Sequence, residues 1–101
     1  MLTRAFELAT AAALAARGLK AATVRTGEGW SLKCWRGGQP AGEPWVLLHG
    51  LGATAATYLP LLPQLQDDCN LLLPELSTLG GTRGPQAAFA IPQATRALAE
   101  I

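Results

Sequence analysis

The hydrophobic pattern of this chain changes period along its length. In the first twenty residues, MLTRAFELATAAALAARGLK, Leu2, Phe6, Ala9, Ala13 and Ala16 recur at three- and four-residue spacings, which predicts a helix with one apolar side. Gly18 is placed to close it, and Arg17 and Lys20 suit the negative C-terminal end of its dipole. A secretory leader is the rival reading, with Arg4 as its charged region and Ala-rich cleavage sites. Glu7 interrupts the apolar stretch such a leader needs, however, and no strongly hydrophobic segment follows. The amphipathic helix is preferred. Beyond it, residues 22–26 form a candidate strand, Gly27-Glu28-Gly29 signals a turn, and residues 30–36 (WSLKCWR) alternate bulky and polar side chains. Together they predict a hairpin.

Residues 37–44 form a loop by their Gly and Pro content. Residues 45–48 (WVLL) are continuously apolar, as in a strand buried on both faces, and run straight into His49-Gly50-Leu51-Gly52. A helical stretch is expected over 54–66, restricted to short pieces by Pro60 and Pro63. Residues 70–73 read as the next buried strand, stopped by Pro74, and Gly80, Gly81, Gly84 and Pro85 mark a loop. Pro92 can open a last helix with Ala94, Ala97, Leu98 and Ile101 on one face. The order is helix, hairpin, then βαβα. This is an α/β chain whose second half favours a parallel sheet with a right-handed crossover. The last helix has no strand to return to, so the architecture reads as incomplete. Neither a repeat nor an interdomain linker is visible.

Composition narrows the function classes. The chain has 101 residues, half of them hydrophobic, 15% charged, with a formal net charge of +1. Such a chain can bury a core, which argues against a disordered tail. It has no Lys/Arg cluster to form an electrostatic footprint for nucleic acid. No apolar run reaches the roughly 18 residues of a membrane span. Two cysteines and the lone His49 cannot make a structural zinc site, and no metal is expected.

Candidate chemistry lies in the turn after the WVLL strand, and two readings compete. Gly50-Leu51-Gly52-Ala53-Thr54-Ala55 fits the G-x-G-x-x-G/A pattern of dinucleotide binding, and Glu75 falls where a ribose-binding acid belongs. A phosphate-binding P-loop is excluded, since no Gly-Lys-Ser/Thr follows the glycines. The second reading starts from His49-Gly50. Here the sequence resembles the N-terminal part of α/β-hydrolase-fold enzymes, whose third strand ends in a His-Gly-x-Gly-type turn. After the next strand, Pro74-Glu75-Leu76-Ser77-Thr78-Leu79-Gly80-Gly81-Thr82 aligns without a gap with that family's Pro-Asp-Leu-x-Gly-x-Gly-x-Ser-like loop. Pro74, Leu76 and Gly80 match directly, Glu75 stands for Asp and Thr82 for Ser, and Thr78 departs from the first glycine. Gly29-Trp30 to Trp35 likewise resembles the family's second strand, and Tyr58 falls where the family often carries an aromatic near the pocket. The resemblance spans residues 22–101. It implies that the N–H of Leu51 is half of an oxyanion hole, with His49, Gly50 and Gly52 shaping the turn and Tyr58 lining the pocket. A fixed backbone donor there stabilises the negative charge that acyl transfer develops on a carbonyl oxygen.

The departures from the family bear on function. Its nucleophile sits in G-x-S-x-G at a strand-to-helix elbow. The serines here, Ser31 and Ser77, lack that flank and read as strand and loop. The triad acid and base come later still in the family's order, so His49 is expected to shape the turn by a local hydrogen bond. Asp67-Asp68 read as a solvated pair, and Glu75 as a brace for its loop. Residues 1–20 are thus expected to be an N-terminal helix and 21–101 the first part of an α/β-hydrolase domain, cut before the nucleophile elbow. The complete protein would hydrolyse a small ester-like carbonyl substrate through a Ser-His-acid triad, without a cofactor; these 101 residues alone would be inactive. The missing C-terminal part of the fold is the partner this implies. His-Gly-Leu-Gly in place of His-Gly-x-Pro argues against epoxide hydrolase and dehalogenase chemistry. A dinucleotide-binding domain using Gly50-x-Gly52 and a non-catalytic binding protein of the same fold remain the alternatives. The resemblance also makes the second and fourth strands neighbours, so Cys34 and Cys69 could approach; without a leader, the expectation is free thiols in the cytoplasm.

Overall fold

The computed structural model describes residues 2–27, 29–50, 53–76 and 81–84. Helix α1 (Leu2–Ala16) leads into strands β1 (Lys20–Arg25), β2 (Ser31–Gly38) and β3 (Glu43–Val46). A 3-10 helix (Ala55–Leu61) continues into the single turn α2 (Leu62–Leu65), and β4 (Cys69–Pro74) follows. The expected last helix over 92–101 lies outside the described residues.

Local chemistry accounts for most of these boundaries. Gly18 ends α1 at φ +85°, donating its N–H to the Ala15 carbonyl while Leu19 donates to that of Leu14. A side chain rarely adopts that conformation. The expected 54–66 helical stretch is split between 3-10 and α geometry around Pro60 and Pro63, with the Thr54 hydroxyl accepting from the Ala56 N–H at its start. The strands form one sheet in the order β1-β2-β4-β3. β1 and β2 are the expected antiparallel hairpin, β2 pairs antiparallel with β4, and β3 pairs in parallel with β4. The described sheet is therefore mixed, with one parallel pair spanned by the helical crossover.

β2 is buried on both faces, and it divides the core. Trp35 joins Leu14, Leu19, Ala55, Leu62, Leu71 and Leu73 under the helices, while Leu32 and Cys34 pack with Trp30 on the opposite side.

Two sequence expectations are corrected. α1 keeps its helical period and turns a different face inward: Glu7 and Leu14 are buried, whereas Phe6, Ala9 and Ala16 are exposed and Ala13 is half-buried. Alanines offer little area, so Leu14 and an ion pair set the phase; Glu7 meets Arg83 at 2.6 Å and Arg4 at 3.2 Å. The WVLL segment is not buried on both faces either. β3 is an edge in the described sheet, beginning two residues earlier, with Trp45 43%, Val46 54% and Leu48 46% exposed. Its one described neighbour is β4.

Candidate functional site

The parallel strands β3 and β4 end side by side, and the chain that leaves each one builds the site. Parallel α/β sheets bind ligands beyond the carboxyl ends of their strands. After β3 the Leu47 N–H still bonds the Leu72 carbonyl, and two residues on His49 turns inward, almost fully buried. Its Nδ1 lies 2.8 Å from the Gly50 carbonyl oxygen, and its Nε2 lies 2.8 Å from the backbone nitrogen of Leu76. An amide N–H can only donate, so Nε2 accepts, and Nδ1 carries the ring proton and donates to Gly50. His49 is thus a neutral tie between the turn after β3 and the loop after β4. Its Nε2 lone pair is occupied, which leaves no free base on the ring. The 3.6 Å approach of Nε2 to Glu75 Oε1 is accordingly no charge pair in this tautomer.

The Gly50 carbonyl also accepts from the Ala53 N–H at 3.2 Å, which closes the turn from the other side. A Cβ built on Gly50 would meet nothing within 4 Å, so the described surroundings impose no steric demand for glycine there. Leu51 and Gly52 lie outside the described residues, as does Ser77. The Tyr58 hydroxyl donates to the Leu48 carbonyl. Its polar end thereby braces the entry to the turn.

Glu75 is the most connected side chain of the site. At 1% exposure its Oε1 accepts from the Ala55 N–H at 2.8 Å and its Oε2 from the Trp35 indole N–H at 3.2 Å. Burial raises its pKa above the ordinary glutamate value, with the Ala55 N–H the strongest of the groups pulling the other way. Its backbone is held equally closely. The N–H donates to the Lys33 carbonyl at 2.8 Å, and the carbonyl accepts from the buried Thr82 hydroxyl, whose oxygen also accepts from the Lys33 N–H. One acid thus links β2, β4, the start of the 3-10 helix and the 81–84 segment. At 1% exposure and enclosed by these partners, Glu75 is not presented to the hydroxyls of a ribose, as the dinucleotide reading requires.

The sequence pointed to His49, Glu75 and Thr82 through their place in the two matched motifs. The Trp35 contact had no signal in the motifs, since it depends on the β2–β4 register that places Trp35 opposite Leu73. Asp67 and Asp68 are exposed, as a solvated pair should be. Ser31 lies in β2, its hydroxyl accepting from Arg25. Among the described residues no group of three or more metal-ligating side chains occurs.

A mixed sheet with a His-Gly turn beyond its parallel pair and a buried acid beyond the neighbouring strand is the start of a hydrolase-type α/β architecture. Solved structures agree. A protein assigned as a lipase (lip1) from Acinetobacter baumannii superposes at TM-score 0.76 and 19% identity, over 93% of this chain and 31% of that one. One assigned as an epoxide hydrolase from Pseudomonas aeruginosa superposes at TM-score 0.59 and 28% identity, over 70% of this chain and 23% of that one. The bifunctional biotin biosynthesis protein BioHC of Saccharophagus degradans is 40% identical over 42 residues, which are 42% of this chain and 8% of that protein. No family model matches. The chain has the α/β-hydrolase fold, over the N-terminal part of that fold. It spans under a third of the solved structures it matches and less than a tenth of the curated relative.

Proposed function

We propose that the turn after β3 supplies one half of an oxyanion hole, the backbone N–H of Leu51, to a hydrolase of carboxylic esters. The observation that carries this reading is the His49 ring, which spans Gly50 and Leu76 and holds the turn at the carboxyl end of the parallel pair. A donor stabilises a developing oxyanion only if it is fixed before the charge appears. The nucleophile, its histidine base and the acid that orients it would come from outside these residues. Serine would attack the carbonyl carbon, histidine would take its proton, and the leaving alcohol would recover that proton. In this reading His49, Gly50 and Gly52 shape the turn, and Tyr58, tied to Leu48, is the candidate to line the substrate pocket.

In the complete protein, Leu51→Ala keeps the N–H and is expected to change p-nitrophenyl ester turnover little. Leu51→Pro deletes the N–H and is expected to lower kcat about 10²-fold or more. Equal losses would show that packing governs the position and would defeat the assignment. Ring opening of an epoxide is the second reading, favoured by the 28% identity to the Pseudomonas aeruginosa protein. Turnover of styrene oxide without ester hydrolysis would select it.

A further inference from the structure

The inverted seating of α1 leaves an apolar surface outside. Ala5, Ala9, Ala12 and Ala16 form an exposed stripe along the helix, flanked on its two sides by Phe6, 48% exposed, and Leu8, 53% exposed. The polar residues Glu7 and Thr10 sit on the inward side, with Glu7 buried against Arg83. A solvent-facing helix normally shows the reverse pattern. Charge is segregated in the same region. Residues 1–28 carry four cations, Arg4, Arg17, Lys20 and Arg25, and two acids, Glu28 and Glu7, the latter buried and paired with Arg83 and Arg4. Arg4 and Arg17 lie exposed toward the two ends of the stripe.

We propose that α1 docks the protein on an anionic lipid surface. The alanine stripe, Phe6 and Leu8 enter the headgroup boundary, and Arg4, Arg17 and Lys20 meet the lipid phosphates. An apolar helix face bordered by arginine and lysine has the form of an interfacial helix, and each cation near such a surface strengthens binding about five-fold. A second copy of the chain is the poorer occupant. Parallel pairing of two stripes sets Arg4 against Arg4, and antiparallel pairing sets Arg4 against Arg17. The surface does not depend on the hydrolase reading, because vesicle binding needs no turnover.

Flotation of the full chain through a density gradient tests this, since lipid-bound protein rises and self-associated protein sinks. With vesicles of phosphatidylcholine and phosphatidylglycerol in roughly equal parts, the chain should float, with binding at least ~10-fold weaker to phosphatidylcholine alone. Phe6→Glu with Leu8→Glu should abolish flotation with only a small change in the thermal melt, since about half of each side chain is already in water. Arg17→Glu with Lys20→Glu should weaken binding by an order of magnitude or more, and high salt should do the same to the parent chain. Four results would overturn the proposal: no flotation with anionic vesicles, flotation indifferent to the Phe6/Leu8 pair, or a large fall in melting temperature from that pair, which would place the face inside the folded protein. The fourth is concentration-dependent self-association, removed by the same pair and without lipid binding.

Discussion

Glu75→Ala tests whether one buried carboxylate organises the site. The substitution leaves two buried donors, the Trp35 indole N–H and the Ala55 N–H, without acceptors. Each unsatisfied buried donor costs about 1–3 kcal/mol. Release from burying an ionised carboxylate offsets part of this, as its raised pKa requires. A net loss of about 2–4 kcal/mol is expected, a large share of the ~5–15 kcal/mol that stabilises a domain of this size. In urea, at a slope of about 2 kcal/mol/M, the midpoint should fall by roughly 1–2 M. Glu75→Gln separates charge from hydrogen bonding. Its amide keeps one acceptor but turns an NH2 toward the other donor, so it too should destabilise at neutral pH. The acid's folded-state pKa is raised, so in the window between its ordinary value and the raised one the folded protein binds the extra proton. Stability from Glu75 is therefore full below the ordinary value and is lost as pH rises through the raised one. The parent chain should show that downward slope and the Gln variant should lack it. An Ala variant within about 1 kcal/mol of the parent, or a slope of the opposite sign, would refute the reasoning.

Cys34 lies opposite Pro74, and Cys69 is five residues away along β4, about 16 Å, so the buried thiols cannot bridge. Ellman titration should count two thiols in denaturant and much slower reaction in the native state, where burial pushes the Cys34 pKa up; no thiols, with a mass two hydrogens lower, would contradict this. The exposed β3 edge should make the chain bind ANS and associate, and Val46→Lys should reduce both; an unchanged ANS signal would place the adhesive surface elsewhere. Gly84→Val should destabilise the chain, because a Cβ there would lie 2.2 Å from the Trp30 ring; a melt equal to the parent's would show that the 81–84 segment can move off Trp30.

What the sequence conveyed clearly was local in origin. Turn glycines, prolines and an alternation of period two placed the hairpin, the crossover pieces and β4 close to their final bounds, because each depends on a few adjacent residues. The site was partly legible for the same reason. His49 and Glu75 sit in short motifs whose spacing is set by the turns that follow β3 and β4. The contact of Trp35 with Glu75 escaped notice because it spans forty residues and exists only once β2 lies beside β4.

The phase of α1 shows where local reasoning stops. A 3.6-residue period is satisfied by the stripe of Phe6 and Ala9 and equally by that of Glu7 and Leu14. Hydrophobicity alone prefers the first. The second prevails because Leu14 buries a full side chain and Arg83, seventy-six residues away, gives the carboxylate of Glu7 a partner as it goes inward. Burial of an acid is tolerated only when such a partner is in place. Arg83 is itself brought there by the bridge to Ser31 and by Thr82, whose hydroxyl ties its segment to Lys33 and Glu75. The orientation of the first helix is thus set through the loop that also carries the buried acid of the candidate site, and loss of the Glu7–Arg83 pair would loosen both together.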